Sequence, residues 1–431
     1  MKRPIIMMIE LLTEVKNLKL TQDEQEILSG KRGEAAKIAL EIIIELGELY
    51  GAAELIPVSK AHIDGCLYGA VGEAGLEFAE KMHQMGGRVA VPTTLNANSR
   101  DINCWVNHRM NAEFAEKNAR MEKAYLGMGA IPTWTCAPYQ GVCAPRFGEQ
   151  VAWAESNAIV YVNSVIGART ERYGDYTDLC CALTGRAPKF GLHIKKNRLA
   201  QIIINCEGLP LKSSTDDFAV LGYLVGKLAK DKIPAITGIP QWVTSDQLKA
   251  FSAAIASSGA VAMFHMIGIT PEAPDLNTIS DDPSNIETIE ITKEMYLDSR
   301  KSLSSATPES ADAILIGCPH ASAAELMEIA DLLNGRFIPE EMEFWIYTNR
   351  EVYSLLESTL IIDNLIKSGV RIIRDTCFLN TDLSGWNMKT VMTNSAKYAH
   401  YMKALTGREV VFANLGECIN TALQSKGQPR I

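Results

Sequence analysis

Strand-like and helix-like segments alternate along most of the chain, and this alternation constrains the fold more than any other feature. The clearest series predicts a helix over Phe218–Ala229, a strand over Ile233–Ile236, a helix over Ser245–Ala256 and a strand over Ala260–His265. Such alternation is typical of α/β proteins whose mostly parallel sheets are covered by helices. Because 431 residues exceed one ordinary hydrophobic core, we expect several lobes.

The expected domain organisation is an N-terminal extension followed by three α/β lobes. The most evident linker is the segment 271–288, which is rich in Pro, Asp, Ser and Asn. We therefore expect the extension at residues 1–19 and the lobes at 20–215, 216–285 and 286–431.

Three of the ten cysteines directly follow segments that resemble short apolar strands, namely Cys136, Cys318 and Cys377. Ligands of open α/β sheets collect outside the carboxyl ends of the strands. Three thiolates delivered there suit one iron–sulfur cluster and leave one iron without a protein ligand, free to act as a Lewis acid. The alternative is that each cysteine is a small buried apolar residue. No Cys-x-x-Cys pair is present, which removes the usual signature of zinc ribbons and thioredoxins.

Polar loops also follow predicted strands, and they would bring hydrogen-bonding groups to the same edge. The candidate substrate-binding residues are His62, Gly65, Cys66 and Leu67 in the first loop, Thr94 and Asn96 in the second, and Asn163, Ser164 and Arg169 in the third. The strand predicted before the third loop is Ala158–Asn163. Each loop alone is explained by ordinary turn chemistry. Lys397, near the C-terminus, either belongs to a capped surface helix beginning at Asn394 or Ser395, or reaches into an anion site.

The composition argues against some classes of partner. A formal charge of −9 and a pI near 5.5 do not fit a protein that mainly binds nucleic acid. No apolar run approaches the roughly 20 residues of a membrane-spanning helix. The segment Met1–Leu12 has a basic start and an apolar run, but Glu10 interrupts it and no cleavage site follows. We therefore expect a cytoplasmic protein without membrane or nucleic-acid partners.

From Leu20 to about Ser425 the chain resembles the catalytic large subunit of the aconitase X family. The matching pieces are Ala61-His62-Ile63-Asp64-Gly65, Val91-Pro92-Thr93-Thr94-Leu95-Asn96, Asn163-Ser164-Val165-Ile166-Gly167-Ala168-Arg169-Thr170, Ala182-Leu183-Thr184-Gly185-Arg186, Leu221-Gly222-Tyr223-Leu224-Val225-Gly226, Ile316-Gly317-Cys318-Pro319-His320 and Asp375-Thr376-Cys377. Several ordered matches spread over the chain are more specific than any one motif.

The resemblance implies an iron–sulfur hydro-lyase with a multi-lobed α/β/α architecture around a central cleft. Cys136, Cys318 and Cys377 occupy the positions of its cluster ligands, for a cluster of the 4Fe–4S, 3Fe–4S or 2Fe–2S type. The three polar loops occupy the positions around its substrate, a small hydroxy acid. The expected catalytic residues are Arg169 and Ser164, with Lys397 reaching the anionic substrate.

Members of the family dehydrate cis-3-hydroxy-L-proline or mevalonate 5-phosphate and use a small swivelling domain, fused or separate, that carries a proton-abstracting serine. The resemblance implies a separate small subunit here, forming a heterodimer. The phosphomevalonate branch tends to carry a serine where this chain has Leu67, and Asp64 adds negative charge, so we favour the hydroxyproline zwitterion. The two-subunit arrangement favours phosphomevalonate. Other open readings are a non-catalytic iron–sulfur regulatory protein, and a thiol enzyme that pairs a cysteine with His62 or His320.

Overall fold

The structure is a computed structural model that describes residues 18–106, 109–212 and 214–424. Its strands are β1 Leu55–Pro57, β2 Ala61–Ile63, β3 Thr93–Leu95, β4 Ala152–Trp153, β5 Arg186–Pro188, β6 Ile202–Asn205, β7 Pro234–Thr237, β8 His265–Met266, β9 Thr288–Glu290, β10 Ala313–Ile316, β11 Glu343–Thr348, β12 Arg371–Arg374, β13 Thr390–Thr393 and β14 Glu409–Phe412. Its α-helices are α1 Gln22–Leu28, α2 Glu34–Leu49, α3 Tyr68–Gln84, α4 Ala112–Gly127, α5 Ser156–Tyr161, α6 Thr177–Thr184, α7 Thr215–Ala229, α8 Ser245–Ser258, α9 Lys293–Ser302, α10 Ala323–Leu333, α11 Arg350–Glu357, α12 Leu360–Lys367, α13 Ala396–Thr406 and α14 Leu415–Gln424.

In the described residues the strands form four sheets, three of which are entirely parallel. Their orders are β3-β2-β4, β8-β7-β6-β9 and β12-β11-β10-β13-β14, while β1 pairs with β5 in an antiparallel ribbon. The predicted α/β fold with mostly parallel sheets is confirmed.

Strand β10 shows why the five-stranded sheet is covered on both faces. All four of its residues are apolar and buried. Ala313 and Leu315 join one hydrophobic cluster together with Tyr398 of α13, whereas Ile314 and Ile316 join another that contains α10 and α12. Because successive side chains of a strand point to opposite faces, a continuous apolar run is what such a doubly covered strand requires.

The order of this sheet reverses at β10, and the reversal positions the site. β11 and β12 lie on one side of β10, while β13 and β14 lie on the other. Such a switch point leaves a crevice outside the carboxyl ends of the strands. Cys318 follows β10, Lys397 follows β13 and Cys377 follows β12, so all three leave the sheet at this edge.

The four-stranded sheet takes its strands from a long stretch of sequence. β6 pairs with β7 on one side and with β9 on the other. The predicted linker 271–288 therefore lies within this unit, where Ala273 and Ile279 are buried against Ala235. The sheet combines residues from both sides of the boundaries expected at 216 and 285, and those boundaries stay a prediction. Most of the expected N-terminal extension lies outside the described residues.

The predicted strand Ala158–Asn163 is wrong. The segment forms helix α5 and continues into a π-helical turn at Val162–Ile166. The Glu155 side chain accepts the amide N–H of Ala158 and so begins the helix. The apolar run is buried on all sides, and such a run shows neither the period of a helix nor that of a strand.

Four smaller differences arise, three in predicted strands and one at a helix break. The pairing expected over residues 88–92 begins only at Thr93, and Ile131–Thr135 contributes a single bridge, from Ile131 to Thr94. The expected strand Ala260–His265 pairs only from His265 onward. The single helix expected over residues 351–368 is divided into α11 and α12, because Thr359 caps a new helix there.

In the part of the chain that the structure describes, no helix combines the length and apolar character needed to cross a bilayer. The cytoplasmic location stays a prediction.

Candidate active site

Cys136, Cys318 and Cys377 line one cavity of about 220 Å³. Two of the other predicted loop residues, Leu67 and Asn96, also line it. The cavity is also lined by Asp64, Glu155, Ser156, Asp175, Asn380, Lys397, Tyr401 and Leu405. A larger cavity of about 800 Å³ lies between the second and third lobes, but none of these cysteines lines it.

Backbone hydrogen bonds between lobes bring the Cys377 segment to the cavity. The amide of Cys377 donates to the carbonyl of Asn98 at 2.8 Å, and the amide of Asn98 donates to the carbonyl of Asp375 at 2.5 Å. The loop after β3 is thereby joined to the end of β12. The side-chain amide of Asn380 also donates to Cys377 Sγ at 3.4 Å.

The other two cysteines are held in a similar way. Cys136 belongs to an extended segment whose Thr135 amide donates to the carbonyl of Leu95 at 3.1 Å. The side chain of Asn157 donates to the Cys136 carbonyl at 2.9 Å. Ser395, the N-cap of α13, donates its hydroxyl to the Cys318 carbonyl at 2.5 Å. The positions of all three thiols are therefore fixed largely by backbone contacts.

Burial keeps the three thiols protonated while they have only protein neighbours. Burial raises the pKa of Cys136 to about 12, and it also raises the pKa values of Cys318 and Cys377. The nearby Lys397 ammonium partly offsets the effect by lowering these pKa values. Positive charge at the centre of the cavity would reverse this effect, because metal coordination deprotonates a thiol.

The donor set fits an iron–sulfur cluster. Three soft sulfur ligands around one cavity are typical of such clusters. Among the described residues, no group of three His, Cys, Asp or Glu side chains is placed to hold a single metal ion. Because all three thiols line the same cavity, Cys136, Cys318 and Cys377 are the residues that would hold a cluster there.

A buried ion pair faces the cysteines. Lys397 Nζ lies 2.6 Å from Glu155 Oε1 and 3.2 Å from Ser156 Oγ. The Glu155 carboxylate also accepts hydrogen bonds from the side chain of Asn157 and the amide of Ala158. Although burial opposes the charge of Lys397, the Glu155 carboxylate raises its pKa well above the ordinary lysine value. Lys397 is therefore a fixed ammonium group inside the cavity.

The wall next to this ion pair is acidic. Asp64 accepts a hydrogen bond from the Asn96 side chain. Burial raises the pKa of Asp64 well above its usual range, and the carboxylates of Glu155, Asp175 and Asp178 add to this effect. Asp178 lies behind the wall, where its Oδ2 accepts the Asp64 amide at 2.6 Å.

Four residues of the first two predicted loops support the cavity without lining it. His62 and Thr94 are buried in neighbouring strands with Nδ1 and Oγ1 2.8 Å apart, and burial lowers the pKa of His62 to about 3. The carbonyl of Gly65 accepts the Tyr125 hydroxyl at 2.9 Å. Cys66 is buried, and its thiol points at the carbonyl of Ile63. Their assignment as substrate contacts stays a prediction.

The predicted residues of the third loop do not line the cavity. The Asn163 side chain donates to the carbonyls of Thr170 and Ala262, and Ser164 Oγ accepts the amide of Phe264 at 2.9 Å. The backbone of Arg169 pairs with the segment that follows Gly148. None of Asn163, Ser164 and Arg169 lines the 220 Å³ cavity. Their catalytic and substrate roles stay predictions.

Several cavity residues were missed by sequence reasoning. Glu155 lies 242 residues from Lys397 in the chain, and a helix cap is all that its local sequence indicates. Asp175 precedes Tyr176, which has a positive φ of 75°, in a turn with no recognisable motif. Asn380 follows Cys377 by three residues, so proximity to a candidate ligand was the one available signal.

Family profiles cover nearly the whole chain. Those described as aconitase X first, second and third domain match residues 17–196, 200–301 and 311–424. The chain belongs to the aconitase X family. A crystal structure of Thermococcus kodakaraensis aconitase X in its holo form superposes with a TM-score of 0.85 at 34% identity, covering 94% of this chain and all of that one. The family and the aconitase-type α/β architecture expected from the sequence are confirmed.

The similar characterised proteins are dehydratases. The cis-3-hydroxy-L-proline dehydratase of Pseudomonas aeruginosa is 44% identical over 93% of this chain and 69% of its own length. The Hypocrea jecorina protein of the same name is 41% identical over 94% and 69%. The phosphomevalonate dehydratase large subunit of Methanosarcina mazei is 38% identical over 94% of this chain and 98% of its own. The aconitase X chain described here is a hydro-lyase, as expected.

Proposed function

We propose that this aconitase X chain dehydrates cis-3-hydroxy-L-proline, with an iron–sulfur cluster held by Cys136, Cys318 and Cys377. The observation that carries the proposal is the meeting of these three cysteines with the Lys397 ammonium and an acidic wall in one small cavity. When bound, the cluster supplies a Lewis acid that polarises the substrate hydroxyl.

Lys397 is the group that binds the substrate carboxylate. Its ammonium is fixed by Glu155 and Ser156 and faces the cavity that the cysteines share. Elimination of water removes a proton from the carbon next to the carboxylate, and negative charge then develops on the carboxylate oxygens. A preorganised positive charge stabilises this state more than it stabilises the bound substrate.

Asp64 and Asp175 favour a substrate that carries a positive charge. The cavity has the Glu155 carboxylate, which is paired with the Lys397 ammonium, and the carboxyl groups of Asp64 and Asp175, whose pKa values are raised by burial. A positive charge on the substrate would favour the ionised forms of Asp64 and Asp175. A phosphate would add negative charge to this wall, whereas the ring ammonium of hydroxyproline compensates it. Leu67 lines the cavity with an apolar side chain that offers a phosphate no hydrogen-bond donor.

The second candidate is mevalonate 5-phosphate. It is supported by similarity to enzymes named for that substrate, such as the Methanosarcina mazei phosphomevalonate dehydratase large subunit, which is 38% identical. We prefer hydroxyproline because of the charge of the cavity. For either substrate, we propose a heterodimer in which a small swivelling subunit supplies the proton-abstracting group.

The test is an anaerobic preparation of the chain with its small subunit, followed by assays on both substrates. We expect turnover of cis-3-hydroxy-L-proline and none of mevalonate 5-phosphate. In Asp64→Asn and Asp175→Asn variants, we expect kcat/KM for hydroxyproline to fall about 10-fold, as when a charge pair worth about 1.4 kcal/mol is lost. Turnover of the phosphate ester alone would refute the substrate assignment. Absence of any turnover would favour the regulatory reading.

Cysteine replacements test the cluster separately. Cys136→Ser, Cys318→Ser and Cys377→Ser should each abolish the visible absorption and most of the bound iron. Cys206→Ser is the matched control, because this cysteine is buried in the four-stranded sheet region and does not line the cavity. Full absorption in all three cavity variants would contradict the ligand set. Inactivation by alkylation of a protein without iron would favour a thiol enzyme.

A further inference from the structure

We propose that His320 is a positioning residue that holds the three cysteine segments at the spacing the cluster requires. The proposal rests on the cluster assignment above. His320 does not line the cavity, so it acts through the cysteine segments that it connects.

His320 contacts the segments of all three cysteines. Its main-chain amide donates to Cys136 Sγ at 3.2 Å, although 184 residues separate the two in sequence. Its imidazole Nε2 lies 2.9 Å from the carbonyl of Thr376, the residue directly before Cys377. His320 itself follows Cys318 by two residues. One residue therefore sets the distances from Cys318 to both other cysteines.

The contact to Thr376 determines which ring nitrogen of His320 carries a hydrogen. The side chain is 2% exposed, and its Nε2 lies beside a backbone carbonyl. A carbonyl oxygen can only accept, so the ring hydrogen lies on Nε2 and is donated to Thr376. Nδ1 is buried and has no hydrogen-bond partner in the described structure. The contact to Thr376 is thus the one polar role that the ring fulfils.

The second lobe holds the same residue from behind. Lys249 Nζ lies 3.3 Å from the His320 carbonyl and forms ion pairs with Asp246 at 2.9 Å and Glu325 at 2.5 Å. The Lys249 side chain is 2% exposed. This contact restrains the His320–Ala321 peptide, which adjoins the Pro319–His320 peptide that carries the His320 N–H. The N–H of that neighbouring peptide points at Cys136 Sγ.

Two consequences follow for a bound cluster. Hydrogen bonds to ligand sulfurs are among the features that set the potential and stability of iron–sulfur clusters. Residues that orient metal ligands typically change metal retention by about 10- to 100-fold when they are replaced. Removing the imidazole frees the Thr376 carbonyl and loosens the spacing between Cys318 and Cys377, while the main-chain bond to Cys136 remains available.

His265 provides a matched control. It is also buried, its Nε2 lies 2.7 Å from the carbonyl of Arg198, and its Nδ1 likewise has no partner in the described structure. It lies on β8, in the four-stranded sheet, and does not line the cavity. Replacing His265 measures the general cost of losing a buried imidazole that donates to a carbonyl.

The experiment compares H320L, H320Q, H320N, H265L and the unchanged protein after identical anaerobic reconstitution. Iron and sulfide per chain are measured, and then the half-time for loss of visible absorption under an iron chelator. We expect H320L to lose its cluster about 10-fold faster than the unchanged protein. H320Q should restore much of the lifetime, because a glutamine amide can reach the Thr376 carbonyl. H265L should match the unchanged protein.

Circular dichroism of the cluster-free proteins shows whether each variant folds. If H320L does not fold, the comparison of H320Q with the shorter H320N decides, and we expect H320N to lose its cluster faster. Equal lifetimes in H320L and the unchanged protein, or in H320N and H320Q, would overturn the role of His320. If the unchanged protein takes up no cluster, the cofactor assignment fails first, and the inference about His320 falls with it.

Discussion

Replacing Lys397 by methionine is expected to destabilise the enzyme far more than an equivalent change at the surface. The Lys397–Glu155 pair has an N–O distance of 2.6 Å, and the two side chains are 14% and 6% exposed. Removing one partner of a buried pair leaves an uncompensated charge and costs about 3–5 kcal/mol. Because Glu155 keeps its bonds from Asn157 and Ala158, we expect the lower end, about 3 kcal/mol.

Urea denaturation of the cluster-free protein measures this loss, and Lys232→Met provides the control. Lys232 lies 2.8 Å from Glu287, but the two side chains are 45% and 59% exposed. Its replacement should cost less than about 1 kcal/mol. In the double variant Lys397→Met/Glu155→Gln, the cost should be partly recovered, because no unpaired charge remains. If Lys397→Met and Lys232→Met lower the free energy of unfolding equally, the Glu155 charge is compensated without Lys397 and the reasoning is wrong.

Lys397→Met should also lower kcat by about 100-fold, since loss of one preorganised group that stabilises developing charge has effects of about this size. Steady-state kinetics of the heterodimer measures kcat. An unchanged kcat would contradict the role of Lys397. Gly317→Ala should lower stability by about 1–3 kcal/mol and impair cluster uptake, because Gly317 has φ +102° and an added Cβ would collide with the Tyr347 carbonyl. Gly335→Ala is the control, because Gly335 has φ +70° but open space around an added Cβ. Thermal unfolding of this variant should show only the smaller cost of the backbone conformation. Equal losses of stability in the two variants would argue against the collision with Tyr347. Burial raises the pKa of Asp178 to about 7, above its ordinary value near 4. The protonated carboxyl group therefore favours the folded state fully below about pH 4, and this stabilisation is lost as the pH rises through about 7. The free energy of unfolding should therefore fall over this range, and Asp178→Asn should flatten the dependence; an equally steep decline in the variant would assign the effect to another group.

Two of the cysteine positions could be predicted because their strands have a clear signature. Residues 313–316 and 371–374 form short runs of strand type, and parallel strands deliver the residues that follow them to one edge. The placement of Cys136 at the same cavity had a weaker basis in the sequence, since the segment before it forms one bridge rather than a strand. Its extended course beside β3 was sufficient to bring it to the same cavity.

The rest of the site could not be derived from local patterns. The Glu155–Lys397 pair spans 242 residues, and no spacing rule relates two residues that meet only through tertiary packing. The third loop was expected at the site because Ala158–Asn163 was interpreted as a strand. Its helical course instead leaves Asn163 bonded to Thr170 and Ala262, with buried polar groups satisfied by neighbouring backbone.

The backbone contacts of the site imply that it exists before any cluster binds. Cys377 donates its amide to Asn98, Thr135 donates to Leu95, and Ala321 donates to Tyr347 at 2.8 Å, and none of these bonds involves a thiol. Gly69 approaches the carbonyl of Asn380 so closely that a Cβ there would collide with it, which fixes the turn after Cys377 against α3.

Small zinc domains behave differently, because they are unfolded without metal. In this protein, a large core lies on both sides of β10, and Cys318 packs against it. We therefore expect cluster removal to leave the far-ultraviolet circular dichroism unchanged and the amides of Asn98, Ala321 and Cys377 protected from hydrogen exchange. Protection that appears only after reconstitution would show that the cluster, rather than the packing of the lobes, assembles the site.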